Sequence, residues 1–257
     1  MHTPKFVLII SIFYVAPSNA DCTEIIDLAD RPSVIDSACA TPYRHVLIES
    51  NFIVQQLNAH AGTQYNLPNT EVRIGLPSNT EFMVLMPNYI QQTTAPKSGS
   101  TGVFAGVKHS INYSEQWLFA IIGNINIPSG SYDYGNLGWG GLVNGIATYN
   151  INSKWSLSGM FGISELSDSQ SLHGRYFTSI NPDISLSYAP ADWTSIYAEV
   201  YGQSKIDSVQ GAGFNFDAGI LFRVRKNAII DLSAGQRLHG YLGGFTHYIN
   251  AGISIML

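Results

Sequence analysis

Along residues 214–257, three consecutive segments separate apolar from polar side chains at a period of two. In the first, Phe214, Phe216, Ala218, Ile220, Phe222 and Val224 share one face, while Asn215, Asp217, Gly219, Leu221, Arg223 and Arg225 share the other. The second sets Ala228, Ile230, Leu232, Ala234 and Leu238 against Asp231, Ser233, Gly235, Arg237 and His239, with Gln236 the one polar residue on the apolar face. The third alternates Ile249, Ala251, Ile253, Ile255 and Leu257 with Tyr248, Asn250, Gly252, Ser254 and Met256. Successive side chains leave a strand on opposite sides, so this is strand periodicity. Runs of about ten or eleven residues are what a bilayer asks of a tilted strand. Soluble strands are nearer five or six residues, and their solvent faces are rich in Lys, Glu and Thr. Here the polar faces hold Gly, Ser, Asn and isolated charges. The expectation is an all-β fold, a closed antiparallel up-and-down transmembrane barrel.

Composition agrees. Only 12% of the 257 residues are charged, against about a quarter in a soluble domain, and 24 are glycine. No apolar run is long enough for a transmembrane helix, so lipid contact must be spread over alternating strands. A net charge of −5 argues against a nucleic-acid partner.

Residues 1–20 read as a secretory signal: Lys5, then the apolar run Phe6 to Ala16, then Ser18-Asn19-Ala20 before a cleavage site at Asp21. Asp21 in front of Cys22 argues against lipidation. Cys22 and Cys39, the only cysteines, both fall in the following segment, 21–43, and in an exported chain they are expected to form a disulfide. Closing that loop contributes on the order of 3 kcal/mol. Ile25, Leu28 and Ala29 at helical spacing predict a short capped helix ending before Arg31-Pro32. The segment is read as a stapled periplasmic extension, with a plug in the barrel mouth as the alternative.

Barrel strands are expected from residue 44 to 257, near 44–56, 71–76, 80–89, 102–112, 117–127, 139–150, 154–164, 176–189, 193–203, 214–224, 228–238 and 245–257. That is an even set of about twelve, which closes a sheet with no free edge. Connections alternate long and short: the 57–70 loop, then Pro77-Ser78-Asn79; QQTTAPKSGS, then Tyr113-Ser114-Glu115; 128–138, then Asn152-Ser153; 165–175, then Pro190-Ala191-Asp192; 204–213, then Lys226-Asn227; and a last Gly-rich loop at 239–244. Outer-membrane barrels have that rhythm, short periplasmic turns and longer outer loops. Tyr113 and Trp117, Tyr149 and Trp155, and Tyr188 and Trp193 flank three short turns, as expected of an interfacial aromatic belt.

With the apolar set facing lipid, the lumen receives Glu49, Asn51, Arg73, Glu81, Lys108, Asn181, Asp183, Tyr197, Glu199, Tyr201, Asp217, Arg223, Asp231 and Arg237. Buried charges persist only when paired or hydrated. These residues therefore form a salt-bridge ladder filling the barrel, a polar-lined passage, or both. Tyr197, Glu199 and Tyr201 would point inward from one strand, able to stack on a ring-shaped solute or to rest on neighbouring glycines. His109 and Ser110 sit side by side as in membrane-barrel lipid hydrolases, but adjacent strand residues face opposite ways and cannot pair. The histidines show no metal-ligand spacing, and no phosphate loop is present, so neither cofactor, metal nor catalytic residue is expected.

The segments RIGLPSNTEFMVLMPNY (73–89), INIPSGS (125–131), SINPDISLSY (179–188), YAEVYGQSK (197–205), DAGILFRV, AIIDLSAGQRL and YINAGISIML resemble the outer-membrane transporter family named for the meta-pathway of phenol degradation, over about residues 45–257. The resemblance implies uptake of hydrophobic or aromatic compounds and places Asp183, Glu199, Asp217, Asp231 and Arg237 in the lumen. Ending in Leu257 rather than an aromatic departs from the usual barrel terminus and weakens the signal read by the barrel-assembly machinery. The expectation is a monomeric channel in the outer membrane of a Gram-negative bacterium, contacting membrane lipid and passing small solutes. A closed structural or adhesive barrel, and less favourably a lipid-modifying enzyme, are the alternatives.

Overall fold

The period-two pattern becomes fourteen antiparallel strands in one sheet. The computed structural model describes residues 22–58, 61–112, 114, 116–167 and 176–257. The signal at 1–20, Tyr113 and most of the 165–175 loop lie outside the described residues. The strands are β1 (Val46–Leu57), β2 (Thr63–Leu76), β3 (Thr80–Leu85), β4 (Tyr89–Gln92), β5 (Ser98–Ser100), β6 (Val103–Asn112), β7 (Trp117–Ile127), β8 (Gly140–Asn150), β9 (Trp155–Ser167), β10 (Tyr176–Ala191), β11 (Thr194–Gln203), β12 (Gly213–Arg225), β13 (Ala228–His239) and β14 (Phe245–Met256). β1 pairs with both β2 and β14, which closes a twelve-stranded barrel. β4 and β5 stand outside the closed ring as a hairpin joined to the outer end of β2, with Gln64 to Leu67 opposite Gln92 to Tyr89.

Two loop expectations change. The 57–70 stretch is mostly strand, because β2 starts at Thr63 and continues through Pro68. The QQTTAPKSGS stretch carries β4 and β5. Both extensions rise beyond the short strands on which the lipid-facing alternation is written, so that alternation does not mark them. Within β10, Pro182 has no N–H to donate, and the ladder to β11 begins at Asp183.

The sides are as the pattern requires. Ile121, Val143, Phe161, Ile163, Ile184, Leu232 and Ile249 are each more than half exposed on the outer wall. Their polar neighbours are buried on the inside, Asp217, Asp231, Asn250 and Ser254 among them. At the short-turn rim, Trp117 meets Tyr149 with ring centroids 4.7 Å apart, Trp155 meets Tyr188 at 4.5 Å, and Trp193 stacks with Phe222 at 6.2 Å. The pairs form across neighbouring strands, since Trp117 is in register with Tyr149 and Trp155 with Tyr188. Rings amphipathic in this way sit at the headgroup level.

The N-terminal segment lies inside the cylinder, which corrects its reading as a periplasmic extension. Its helix α1 (Ile25–Leu28) is a single turn, and Glu24 at its start makes no side-chain cap, contrary to expectation. Ile25, Leu28, Ile35, Ala38 and Cys39 are buried in one apolar cluster with the inward Leu47, Met83, Ile122, Leu221 and Ile229 of the wall. The apolar helix face that the sequence displays is satisfied by the barrel's own interior. Cys22 and Cys39 are bonded, 17 residues apart, and close the segment into a loop.

Candidate functional site

Four predicted lumen residues converge on the plug. Arg73 of β2 donates from Nε to Glu81 at 2.9 Å and from Nη1 to Glu49 at 2.9 Å. Its Nη1 also reaches the Leu28 carbonyl at 2.6 Å, and its Nη2 the Cys39 carbonyl at 3.2 Å, so one guanidinium holds both arms of the plug. Lys108 of β6 donates to Asp30 at 2.9 Å and lies 3.2 Å from Glu81. A planar five-donor fork suits this multidentate role in a way a point charge does not. All four wall residues are fully buried, which is tolerable because each is paired and hydrogen-bonded.

The wall carboxylates grip the plug largely by its backbone. Glu49 accepts from the Asp30 N–H at 3.2 Å and the Arg31 N–H at 3.4 Å. Glu81 accepts from the Thr41 N–H at 2.6 Å, and Glu199 from the N–H groups of Val34 at 2.6 Å and Ile35 at 3.3 Å. Three strands thereby hold three points along the loop.

The remaining predicted residues divide between the plug and the space beyond it. Asp231 pairs with Arg31 at 3.9 Å, and Arg223 pairs with Glu24 near the periplasmic mouth. Asn51 donates to Asn250 at 2.7 Å, the same oxygen that Arg31 reaches at 3.2 Å. Arg237 bonds Asn58 and stacks over Tyr241 at 5.1 Å, towards the outer end. Asn181 and Asp183 lie on β10, Tyr201 on β11 and Asp217 on β12, and neither aspartate is in an ion pair among the described residues. Tyr197 rests on Gly219, where a Cβ would come within 2.6 Å of its ring, and Tyr248 rests likewise on Gly235. Packing on glycine is therefore the observed role of Tyr197, with Tyr248 hydrogen-bonded to Asp217 beside it. The ions do not form one ladder through the barrel. They collect where the plug is held.

Asp30 and Arg31, central to that network, were missed by pattern reading. The signal was present as charges clustered beside the α1 turn, but nothing local says that they enter a barrel. Asp30, Glu49 and Glu71 bring oxygens close enough together for a metal ion. Arg73 Nη1 already lies 3.1 Å from Asp30 and 2.9 Å from Glu49, so a guanidinium takes the position a cation would hold. Ser110 faces inward, while His109 is exposed and bonds Thr80 at 2.9 Å, so the two lie on opposite faces.

A closed twelve-stranded barrel with an oily exterior, an aromatic rim and a polar interior defines a transmembrane β-barrel of the outer-membrane type. The chain belongs to the family described as "Putative MetA-pathway of phenol degradation", whose profile matches residues 43–241. Among solved structures it is similar to the COG4313 outer membrane channel from Pseudomonas putida F1, with a TM-score of 0.71 and 11% identity over 88% of this chain and 100% of that one. It is also similar to the NanC porin, with a TM-score of 0.55 and 9% identity over 82% and 100% of the two chains. The KdgM porin gives 0.54 and 9% over 81% and 98%. No curated protein sequence matches the chain.

Proposed function

We propose that this protein is a passive outer-membrane channel for small solutes, with aromatic or hydrophobic compounds as its substrate class, and that it works without catalysis. The carrying observation is that a separate loop fills the periplasmic part of the lumen. It packs there against the inward wall side chains Leu47, Met83, Ile122, Leu221 and Ile229. A barrel meant only as a surface scaffold can be filled by inward side chains, whereas twelve strands enclose more than side chains need. The plug is held by hydrogen bonds and ion pairs to the wall, with one covalent staple inside the loop itself. Rearrangement of that loop would open a route along the polar wall while leaving the cylinder intact. The family description and the channel from Pseudomonas putida F1 support the reading. The barrel acts as a monomer and is inserted by the barrel-assembly machinery.

Swelling of liposomes carrying the purified mature protein tests this. Entry of phenol-sized neutral solutes is expected, and it should rise in variants with a loosened plug. Liposomes that stay impermeable to every solute, plug loosened or not, would favour the closed surface barrel.

A further inference from the structure

Where β10–β12 border the plug, the wall leaves more acceptors than donors without a partner. Asp183 of β10, Glu199 of β11 and Asp217 of β12 face inward from adjacent strands, 7%, 1% and 0% exposed. Glu199 is directly opposite Asp217, and Asp183 is opposite Tyr201, two positions along from Glu199 on the same face. None of the three carboxylates is in an ion pair among the described residues. Both oxygens of Asp183 and one of Asp217 have no hydrogen-bond partner.

A second kind of group repeats the signal. Asn215 is fully buried, opposite Tyr201, and its Nδ2 donates to the Leu242 carbonyl at 3.3 Å, leaving Oδ1 without a partner. Asn144 of β8 donates to the Met160 sulfur at 3.4 Å and also leaves its Oδ1 unpartnered. A carbonyl and a thioether can only accept, which sets both amide orientations. In both amides the donor goes into the wall and the acceptor is left over; the Tyr197 hydroxyl on the face of Glu199 is also without a partner. The nearby bases are engaged elsewhere: Arg31 with Asp231 and Asn250, and Arg237, opposite Asn215, with Asn58 and the face of Tyr241.

The geometry points to a cation-recognition site on the β10–β12 wall, built for a primary ammonium group on a small organic solute. An ammonium supplies three N–H donors and one positive charge to a surface whose present donors, the Tyr248 hydroxyl on Asp217 and the Val34 and Ile35 N–H groups on Glu199, carry no charge. Uncompensated buried carboxylates are costly, and a bound cation offsets that cost. Tyr197 and Tyr201, on the same face of β11 as Glu199, add aromatic surface beside the charge. This assignment deepens the channel reading and rests on it: amine-bearing aromatics would be favoured in the lumen, and carboxylates repelled.

The test uses the full mature protein in detergent and equilibrium dialysis against benzylamine, benzyl alcohol and benzoate. Benzylamine should be retained most and benzoate least. The isosteric double substitution D183N/D217N should lower benzylamine retention about tenfold, and D183N alone, whose carboxylate touches no donor, serves if the double variant fails to show a folded barrel's gel mobility. Equal retention of the three probes, or retention unchanged by the substitutions, overturns the site. Displacement of benzylamine by potassium but not by choline at equal ionic strength overturns the ammonium assignment. In planar bilayers, a salt gradient should give a cation-selective reversal potential that shrinks in D183N/D217N. Absence of any current would count against the channel reading, and the dialysis would still decide the site.

Discussion

The Nζ of Lys108 lies 2.9 Å from both carboxylate oxygens of Asp30, joining the barrel wall to the plug through a fully buried contact. Lys108→Met takes away one of the two cations that Asp30 meets and leaves Arg73 Nη1 at 3.1 Å, so the cost should stay below the about 3–5 kcal/mol of a buried charge left wholly unpaired. Lys108→Met should therefore weaken plug docking while leaving the barrel's strand pairing untouched. Faster hydrogen exchange across residues 30–41, with unchanged exchange in β7–β9, is the expected readout. Adding Asp30→Asn should recover part of the loss, because the carboxylate that then has Arg73 as its one cation is made neutral.

Arg73 touches both arms of the loop, so Arg73→Met should have the larger effect. Glu49 and Glu81 would lose their guanidinium, and the Leu28 and Cys39 carbonyls their donor. A lower melting temperature than for Lys108→Met, together with larger single-channel current, is expected in reconstituted protein. Equal melting temperatures would show that the guanidinium does not bridge the arms.

The Cys22–Cys39 bond constrains the loop within itself, with no link to the wall. Replacing both with Ser should weaken the plug by on the order of 3 kcal/mol. The cylinder should still form, seen as heat-modifiable gel mobility, while protease cleaves the segment more readily from the periplasmic side.

On the outer wall, Leu232 and Asp231 are chain neighbours with opposite fates. Leu232→Arg should destabilise the folded protein in lipid vesicles by roughly 2–4 kcal/mol, as expected for a cation at the lipid face. Asp231→Asn should cost less, since Arg31 keeps its bond to Asn250. Urea titrations in vesicles compare the two directly.

These contrasts show how much the chain's pattern discloses. Asp217, Asp231, Glu199 and Arg237 were legible as interior residues, because a cylinder with a single buried face writes that face into every second position. Trp117, Trp155 and Trp193 marked the rim for the same reason. The start of β2 at Thr63 and the β4–β5 hairpin were not legible, because no alternating lipid face covers them. The plug's location was hidden for a different reason. Ile25 and Leu28 announce that an apolar stripe needs a cover, and any cover would do; only the closed tertiary structure supplies Leu47, Ile122 and Ile229. The meeting of Asp30 with Arg73 and Lys108 is long-range in sequence and leaves no local trace.

Because Glu49, Glu81 and Glu199 recognise amide hydrogens at positions 30, 31, 34, 35 and 41, they read the course of the main chain and are indifferent to most of what hangs from it. The exposed side chain of Val34 can change over evolutionary time without unseating the loop. Proline, which has no amide hydrogen, is the one natural residue that those carboxylates would refuse.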